Sequence, residues 1–358
     1  MRIIHTGDLH LDAVTEISSS PNDSFQTVSS PQRWRTFQRL INYANDNAAD
    51  LLLISGDLFH RQPTEAQLRE ADELFTTLTH TQVVLIAGNH DFLCSASPMT
   101  DYDWQGPVTL LSTDTDSCIF FTELNTVVHG FSYSSFHMSD GPAPFSAPKD
   151  NHTHILMLHG GDREHLPLYF SALEQSGFDY IALGHIHKPQ IFPGRQMAYC
   201  GSPEPLDYTE TGNHGFIQVD IHRREVHTSF IPFSHTRFLP LLVQVTPEDT
   251  LFSLRRLLSQ RIERGNPGDL YSVTFSGQRS PELSLSLDAF SDLSRICGLS
   301  DATVPWYDFP SLLSQHGTDL VGQYIRTFLP GDKSPEDLDE LHRTALFSGL
   351  KALLDSAS

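Results

Sequence analysis

Residues that could bind metal ions occur in five short motifs along the chain. They are, in order, Asp8-Leu9-His10, Gly56-Asp57, Gly88-Asn89-His90-Asp91, Leu158-His159-Gly160-Gly161 and Gly184-His185-Ile186-His187. Their side chains offer nitrogen and oxygen atoms without a thiolate, a set that suits manganese, iron, zinc or a related divalent ion. In Asp-x-His and His-x-His both ligands lie on one side of an extended segment, because side chains in a strand alternate. The motifs predict a metal centre, in which Asp57 is expected to bridge two ions.

Each motif directly follows an apolar run of the kind that a buried strand shows. The runs are residues 2–6, 51–55, 82–87, 154–158 and 179–183. Open α/β sheets place their ligands at the carboxyl ends of the strands, where side chains that are distant in sequence can meet. Any one of these motifs is common and says little alone. All five in order are a specific signal for one shared site.

The elements between the motifs predict a layered α/β fold. Helical spacing of apolar residues over 33–48 and 64–79 alternates with the first three strands. The part that follows, to about residue 235, is predicted to be richer in strands. Those strands are 117–121, 126–131, 154–158, 179–183, 197–200, 215–221 and 225–231, with one helix at 166–176. Residues 14–31 and 137–153 are predicted to be loops, because they are rich in turn-forming residues.

Length and composition indicate a globular protein of two or three domains. The chain has 358 residues, of which 39% are hydrophobic and 19% charged. No apolar run approaches the roughly 20 residues that a membrane helix needs, so no membrane association is expected. The first residues carry no signal-peptide pattern, and four widely spaced cysteines are interpreted as reduced thiols in a cytoplasmic protein. The net charge of −21 argues against broad coating of nucleic acid, but not against a local phosphate site.

The order of the five motifs resembles the calcineurin-like metallophosphoesterases over roughly residues 1–235. Within that superfamily, three stretches resemble the SbcD-type DNA repair exonucleases, the nuclease subunits of SbcC–SbcD complexes. They are Gly7-Asp8-Leu9-His10-Leu11, Ser55-Gly56-Asp57-Leu58-Phe59-His60 and Gly201-Ser202-Pro203-Glu204. The resemblance implies a four-layer α/β/β/α sandwich over residues 1–235. A small α/β DNA-capping domain over 236–305, where the likeness is weaker, and a C-terminal helical segment over 306–358 would follow it.

The resemblance also implies a role for each motif residue. One ion would be held by Asp8, His10, Asp57 and His187. The other would be held by Asp57, Asn89, His159 and His185. His90 would be the general acid or an electrostatic group at the phosphate, and Asp91 would orient His90 or its loop. His60 would lie beside the site, although a histidine three residues past Asp57 could also simply pack at the end of the strand.

The implied function is two-metal hydrolysis of DNA phosphodiester bonds. Manganese is the expected metal, with iron or zinc as alternatives. The implied partners are DNA and an SbcC-like ATPase subunit, and because family members are typically dimers, a homodimer is expected as well. Two other functions stay open. One is a phosphatase or cyclic-nucleotide phosphodiesterase of the same fold, and the other is a scaffold that has lost catalysis.

The C-terminal segment is predicted to form a helical hairpin. Apolar residues recur at helical spacing over 318–329, and a second helix is predicted to start at Ser334, with Pro335 in its first turn. The hairpin either folds back on the nuclease core or docks on the base of an SbcC-like coiled coil. Near the N-terminus, Arg33, Arg35 and Arg39 are interpreted as the solvated face of the first helix, and contact with the DNA backbone is the alternative.

Overall fold

The computed structural model describes residues 1–17, 26–28, 30–139, 145–331 and 333–357. The chain divides into two compact units. The first contains Met1–Leu239 together with Gly268–Leu270, and the second contains Pro240–Pro267 together with Tyr271–Ser358. The predicted nuclease domain lies within the first unit, and the second contains most of the predicted cap and all of the predicted tail. A division into three domains stays a prediction.

Strands and helices alternate at first and strands then dominate. Up to residue 236 the elements are β1 (Arg2–Thr6), β2 (Thr15–Ile17), β3 (Gln26–Val28), α1 (Ser30–Asp46), β4 (Leu51–Ser55), α2 (Glu65–Phe75), β5 (Gln82–Ile86), β6 (Val108–Leu110), β7 (Cys118–Phe121), β8 (Thr126–Gly130), β9 (Thr153–His159), α3 (Phe170–Glu174), β10 (Tyr180–Gly184), β11 (Gln190–Ile191), β12 (Met197–Tyr199), β13 (Gly215–His222) and β14 (Glu225–Pro232). The remaining elements are β15 (Arg237–Val245), α4 (Leu251–Glu263), β16 (Asp269–Arg279), β17 (Ile296–Pro305), α5 (Phe309–Gln315), α6 (Leu320–Phe328) and α7 (Glu340–Ala357).

Two six-stranded sheets form the first unit. One has the order β14-β13-β1-β4-β5-β6, in which β1, β4, β5 and β6 pair in parallel and β13 pairs antiparallel with both β1 and β14. The other has the order β11-β12-β10-β9-β8-β7, with four parallel central strands and an antiparallel strand at each edge. The mixed α/β fold predicted from the sequence is confirmed.

Strand β4 shows how the layers are held together. All five of its residues are buried, as expected for a parallel strand that is covered on both faces. Leu52 and Ile54 pack in a cluster with apolar residues of α1 and α2. Leu51 and Leu53 point the other way, into a cluster shared with β8, β9 and β10 of the second sheet. The two sheets therefore pack face to face, and the helices cover the outer face of the first.

The outer face of the second sheet has a thinner cover. Helix α3 has only five residues, and its Leu173 packs there together with Phe131 and Tyr133 from a loop. The helix predicted over 166–176 is therefore too long. Its first part is not helical because Leu166 has a left-handed backbone, with φ of 44°, and is followed by a proline.

The predicted apolar face of α1 is buried against the first sheet, but the interpretation of Arg33 is wrong. Phe37, Leu40 and Ile41 are buried as the helical spacing predicts. Arg33 is only 2% exposed, and its guanidinium donates to the carbonyls of Glu204 and Pro205, at 3.4 and 2.6 Å. The loop after β12 covers this position, so Arg33 belongs to the interior rather than to a solvated face.

The second unit contains most of the three-stranded sheet β15-β16-β17 and all of helix α4. Alternate residues of β16 are buried, among them Val273 and Phe275, and α4 buries Leu254 and Leu258. The hydroxyl of Thr250 caps the first turn of α4. Strand β17 is parallel to β16 and was not predicted, because its middle residues are mostly small or polar and show no apolar run.

Helices α5, α6 and α7 share an apolar cluster of their own. Val321 and Ile325 of α6 pack against Leu346 and Leu350 of α7, as in a helical hairpin. The predicted start of the last helix is wrong. Ser334 instead caps a short 3₁₀ helix at Pro335–Asp337.

The last helix begins at Glu340 instead. Leu338 is extended, with φ of −88° and ψ of 144°, and so interrupts the helical path. The side chain of Asp339 then accepts the backbone N–H of His342 at 2.9 Å, as an N-terminal cap does.

Parts of both predicted loops lie outside the described residues. Within the predicted loop 14–31, β2 and β3 pair as an antiparallel ribbon, while residues 18–25 and 29 are not described. In the predicted loop 137–153, residues 140–144 are not described. Among the residues that the structure does describe, no helix is both long and apolar enough to cross a membrane.

Candidate metal centre

Strands of both sheets bring the predicted ligands together. In the first sheet, the segments after β1, β4 and β5 supply Asp8, His10, Asp57 and Asn89; in the second, the end of β9 and the segment after β10 supply His159, His185 and His187. The sheets meet directly at this point, since Nδ1 of His159 hydrogen-bonds to the carbonyl of Ser55 at 2.8 Å. The site therefore lies where the carboxyl ends of strands from both sheets approach each other.

Asp57 lies between ligands of the two predicted ions. Its Oδ2 is 3.7 Å from Nε2 of His10 and 3.4 Å from Nε2 of His159. Its Oδ1 accepts the backbone N–H of His90 at 3.0 Å. Burial raises the pKa of Asp57, but the neighbouring His159 and His10 outweigh burial and hold that pKa well below its usual range. The lowered pKa favours the ionised form of Asp57, and its Oδ2 lies between one predicted histidine ligand of each ion.

His159 shows that this pocket favours positive charge. Its Nδ1 donates to the carbonyl of Ser55, and its Nε2 is 2.9 Å from Oδ1 of Asn89. Burial lowers the pKa of His159, yet Asp57 and Asp8 outweigh burial and raise it to about 9. A site that stabilises a buried imidazolium in this way also suits a divalent cation.

The other half of the cluster consists of Asp8, His10 and His187. The Oδ1 of Asp8 is 3.9 Å from Nε2 of His187, and burial raises the pKa of Asp8 to about 6. Nε2 of His10 and Nε2 of His187 are only 3.2 Å apart. Two imidazole lone pairs cannot face each other at that distance, so a proton or a metal ion has to lie between them.

The backbone is strained at four of the predicted ligands. The φ angles are 49° at Asp8, 44° at His10, 52° at Asp57 and 91° at His185. Residues with a side chain seldom adopt this left-handed region, and each such residue costs roughly 1–3 kcal/mol. Strain of this kind collects at functional sites, and here it lies on the residues whose side chains converge.

His90 and Asp91 follow the ligand Asn89 but make different contacts. Nδ1 of His90 donates to the carbonyl of His60 at 2.9 Å, which leaves Nε2 of His90 available. The buried carboxylate of Asp91 accepts the backbone N–H groups of Gly88 and Phe59, at 2.8 and 3.1 Å. Burial and the nearby Asp57 raise the pKa of Asp91 to about 7. These contacts hold the loop that carries His90 in place.

His60 lies beside the cluster. Its Nδ1 is 3.3 Å from Nδ1 of His10, and its ring stacks on His90 with 4.6 Å between the ring centroids. Its backbone N–H donates to Asp12 at 2.5 Å. The structure thus brings all three predicted catalytic residues and all seven predicted ligands into one region.

A family model described as calcineurin-like phosphoesterase matches residues 1–189 of this chain. The chain belongs to that family. The matched part extends just past His187 and so includes every predicted metal ligand. Members of a metallophosphoesterase family use divalent metal ions, and the side chains present fit such ions. The ligand atoms of Asp8, His10 and His187 lie within 4.8 Å of one another, as do those of Asp8, Asp57 and His159.

Curated relatives of this phosphoesterase include an uncharacterised metallophosphoesterase, a DNA double-strand break repair protein and a nuclease subunit. The uncharacterised metallophosphoesterase YhaO of Bacillus subtilis is 28% identical over 288 residues, which cover 75% of this chain and 70% of YhaO. The DNA double-strand break repair protein Mre11 of Methanopyrus kandleri is 27% identical over 297 residues, covering 74% and 63%. The SbcD component of the nuclease SbcCD from Escherichia coli K12 is 23% identical over 282 residues, covering 61% and 64%. The match thus spans slightly less than two thirds of Mre11 and of SbcD.

Two acidic residues of this phosphoesterase site were missed in the sequence. Oε1 of Glu210 accepts from Nδ1 of His187 at 2.5 Å, and Oδ2 of Asp162 accepts from Nε2 of His185 at 2.9 Å. Burial raises the pKa of Glu210, but the hydrogen bond and charge of His187 together with the backbone N–H of Leu206 outweigh burial and hold that pKa below its usual value. Both residues lie in loops, each 23 positions in sequence from the histidine that it contacts. The only signal was an acidic residue near a motif.

Proposed function

We propose that this phosphoesterase hydrolyses DNA phosphodiester bonds with two divalent metal ions, as the nuclease subunit of an SbcC–SbcD-like complex. The position of Asp57 Oδ2, between Nε2 of His10 and Nε2 of His159, is the observation that carries the two-metal part. The names of two relatives, a double-strand break repair protein and a nuclease component, support DNA as the substrate. Manganese is the proposed metal, with iron or zinc as alternatives, and carboxylate, amide and imidazole ligands without thiolate are compatible with all three.

The chain's own residues divide the work of this reaction. Two bound ions would supply the positive charge that polarises a phosphodiester and acidifies water. Asp57 would hold both, while its Oδ1 stays fixed by the backbone N–H of His90. His90 donates from Nδ1 to the carbonyl of His60. In the imidazolium form of His90, Nε2 would carry the second proton, which it would give to the departing oxygen or use to stabilise the charge on that oxygen. Asp91 keeps the His90 loop in position through backbone hydrogen bonds.

A nuclease assay on the full chain with Mn²⁺ tests the proposal. Single-stranded, double-stranded and hairpin DNA are compared with bis(p-nitrophenyl) phosphate, a phosphodiester without a base. Cleavage of at least one DNA substrate that disappears with a metal chelator supports the nuclease. Hydrolysis of the small ester alone favours a phosphatase or phosphodiesterase. Failure on every ester with both ions bound, as shown by metal analysis, favours the catalytically silent scaffold.

The partner proposal rests on the C-terminal hairpin. The apolar cluster of α5, α6 and α7 is built from residues of this segment itself, between Tyr307 and Leu354. Two large apolar side chains remain outside it, since Leu320 is 64% exposed and Leu341 is 77% exposed. Exposed leucines on a self-supporting hairpin are suited to a helix-in-groove contact with an apolar partner surface. The proposed partner is the base of an SbcC-like coiled coil.

Leu341→Glu is expected to weaken binding of the ATPase partner without unfolding the chain, because this side chain is exposed and lies outside the apolar cluster of the hairpin. Co-purification of the two subunits measures the effect, and loss of an interface hot spot typically costs about 2 kcal/mol or more of binding free energy. Glu340→Gln, one residue away, is the control and should bind normally. If Leu341→Glu co-purifies as well as the unchanged chain, this surface does not dock the partner.

A further inference from the structure

The two histidines of the Gly184-His185-Ile186-His187 motif each donate a hydrogen bond to a carboxylate that no motif contains. Nε2 of His185 is 2.9 Å from Oδ2 of Asp162. Nδ1 of His187 is 2.5 Å from Oε1 of Glu210. The two rings are thus held through opposite nitrogen atoms, although they are two residues apart in one segment.

A neutral imidazole that donates from one nitrogen offers its lone pair on the other. His187 therefore offers Nε2, and this atom lies inside the cluster, 3.2 Å from Nε2 of His10 and 3.9 Å from Oδ1 of Asp8. His185 offers Nδ1 instead. Its ring lies beside that of His159, with 5.1 Å between the ring centroids, on the side of the second predicted ion.

The backbone around His185 explains why the two rings need different nitrogen atoms. The φ of His185 is 91°, and its backbone N–H donates to both oxygens of Asp8, at 3.1 and 3.0 Å. This turn departs from a regular strand, in which His185 and His187 would point the same way from similar backbones. Each ring approaches the metal centre differently, and each is fixed by its own carboxylate.

Both carboxylates are themselves held by their loops. Oε2 of Glu210 accepts the backbone N–H of Leu206 at 2.7 Å. Oδ1 of Asp162 accepts the backbone N–H groups of Glu164 and His165, each at 2.8 Å. Each acceptor is therefore held by backbone groups of its own loop, which is what an orienting group requires.

We propose that Asp162 and Glu210 are positioning residues that fix opposite tautomers of the two histidines, so that His185 binds one metal ion through Nδ1 and His187 binds the other through Nε2. The inference rests on the metal centre of the proposed function but not on DNA as its substrate. In this proposal, Asp162 orients a ligand of the ion that Asp57, Asn89 and His159 are predicted to bind. Glu210 orients a ligand of the ion that Asp8 and His10 are predicted to bind.

Mn²⁺ titration of the full chain without nucleic acid tests this assignment. Loss of a carboxylate that orients a metal-binding histidine typically weakens metal binding about 10–100-fold. Glu210→Ala and Asp162→Ala are each expected to weaken one of the two binding steps by such a factor and to leave the other nearly unchanged. Glu210→Gln and Asp162→Asn keep an acceptor oxygen and are expected to recover part of the lost affinity.

Asp150→Asn is the matched control. Asp150 accepts from Nε2 of His154 at 2.9 Å, a carboxylate–histidine pair of the same length whose histidine is not a predicted ligand. This variant is expected to bind both ions normally. If it weakens Mn²⁺ binding as much as Asp162→Ala does, the effect reflects general loop stability and the proposal fails.

A second readout reports the tautomers directly. Nitrogen-15 NMR of the Zn²⁺-loaded chain is expected to show a proton on Nε2 of His185 and on Nδ1 of His187. The same protonated nitrogen on both rings would overturn the inference, and so would unchanged Mn²⁺ affinity in both alanine variants. A chain that shows the expected metal pattern but cuts no DNA would refute the proposed function and leave this inference standing.

Discussion

Asp57→Ala is expected to lose most of both metal ions and, with them, measurable phosphodiester hydrolysis. Asp57 is the only predicted ligand assigned to both ions, and its Oδ2 lies within 3.7 Å of a histidine nitrogen on either side. Without its negative charge, the remaining ligands face two divalent ions with one carboxylate, Asp8. Metal analysis of the purified variant measures the loss. Two ions retained in Asp57→Ala would refute the bridging role.

Two further variants test whether both ions depend on Asp57 itself and on the position of its side chain. His187→Ala removes a ligand assigned to one ion and is expected to weaken mainly the binding of that ion. Gly88→Ala removes no ligand, but a Cβ at this position would overlap the carboxylate of Asp57. It should therefore reduce the occupancy of both ions, as Asp57→Ala does. Normal metal content in Gly88→Ala would mean that the Asp57 side chain is not confined to the position described.

His90→Gln is expected to keep both ions and to lose about 10²–10⁴-fold in the rate of cleavage, the usual contribution of a positioned acid or base. The backbone N–H of His90 would still hold Asp57, so the metal centre should remain intact. Single-turnover cleavage measured beside metal analysis distinguishes the two effects. His80→Gln, which changes an exposed histidine paired with Asp50, serves as the control and should cleave normally. Near-normal cleavage by His90→Gln would mean that the role belongs to another group.

The fold and the ligand cluster could be predicted because both depend on local patterns. Continuous apolar runs predicted strands such as β4, which is buried on both faces, and the polar residue after each run marks the sheet edge where ligands gather. Asp57 was recognisable for this reason, since it directly follows Leu51–Ser55 and Gly56. The order of such residues then identified the family.

The surrounding contacts could not be predicted, because they depend on the path of loops. Glu210 reaches His187, and Asp162 reaches His185, each across 23 positions in sequence. Arg33 has the polarity of a surface residue, and only the loop of Glu204 and Pro205 makes it an interior one. Ser334 was correctly predicted to be a helix cap, but it caps a short 3₁₀ helix. Asp339 caps the last helix, α7.

The distribution of the ligands over both sheets has a consequence during protein synthesis. The predicted set begins at Asp8 and is complete only with His187, after strand β10 of the second sheet. Chains grow at roughly 5–20 residues per second, and N-terminal parts fold first. An emerging chain that has folded only β1, β4 and β5 would present Asp8, His10, Asp57 and Asn89 without any ligand from the second sheet. The metal centre, and with it any metal-dependent phosphoester hydrolysis, is therefore expected only after both sheets have folded.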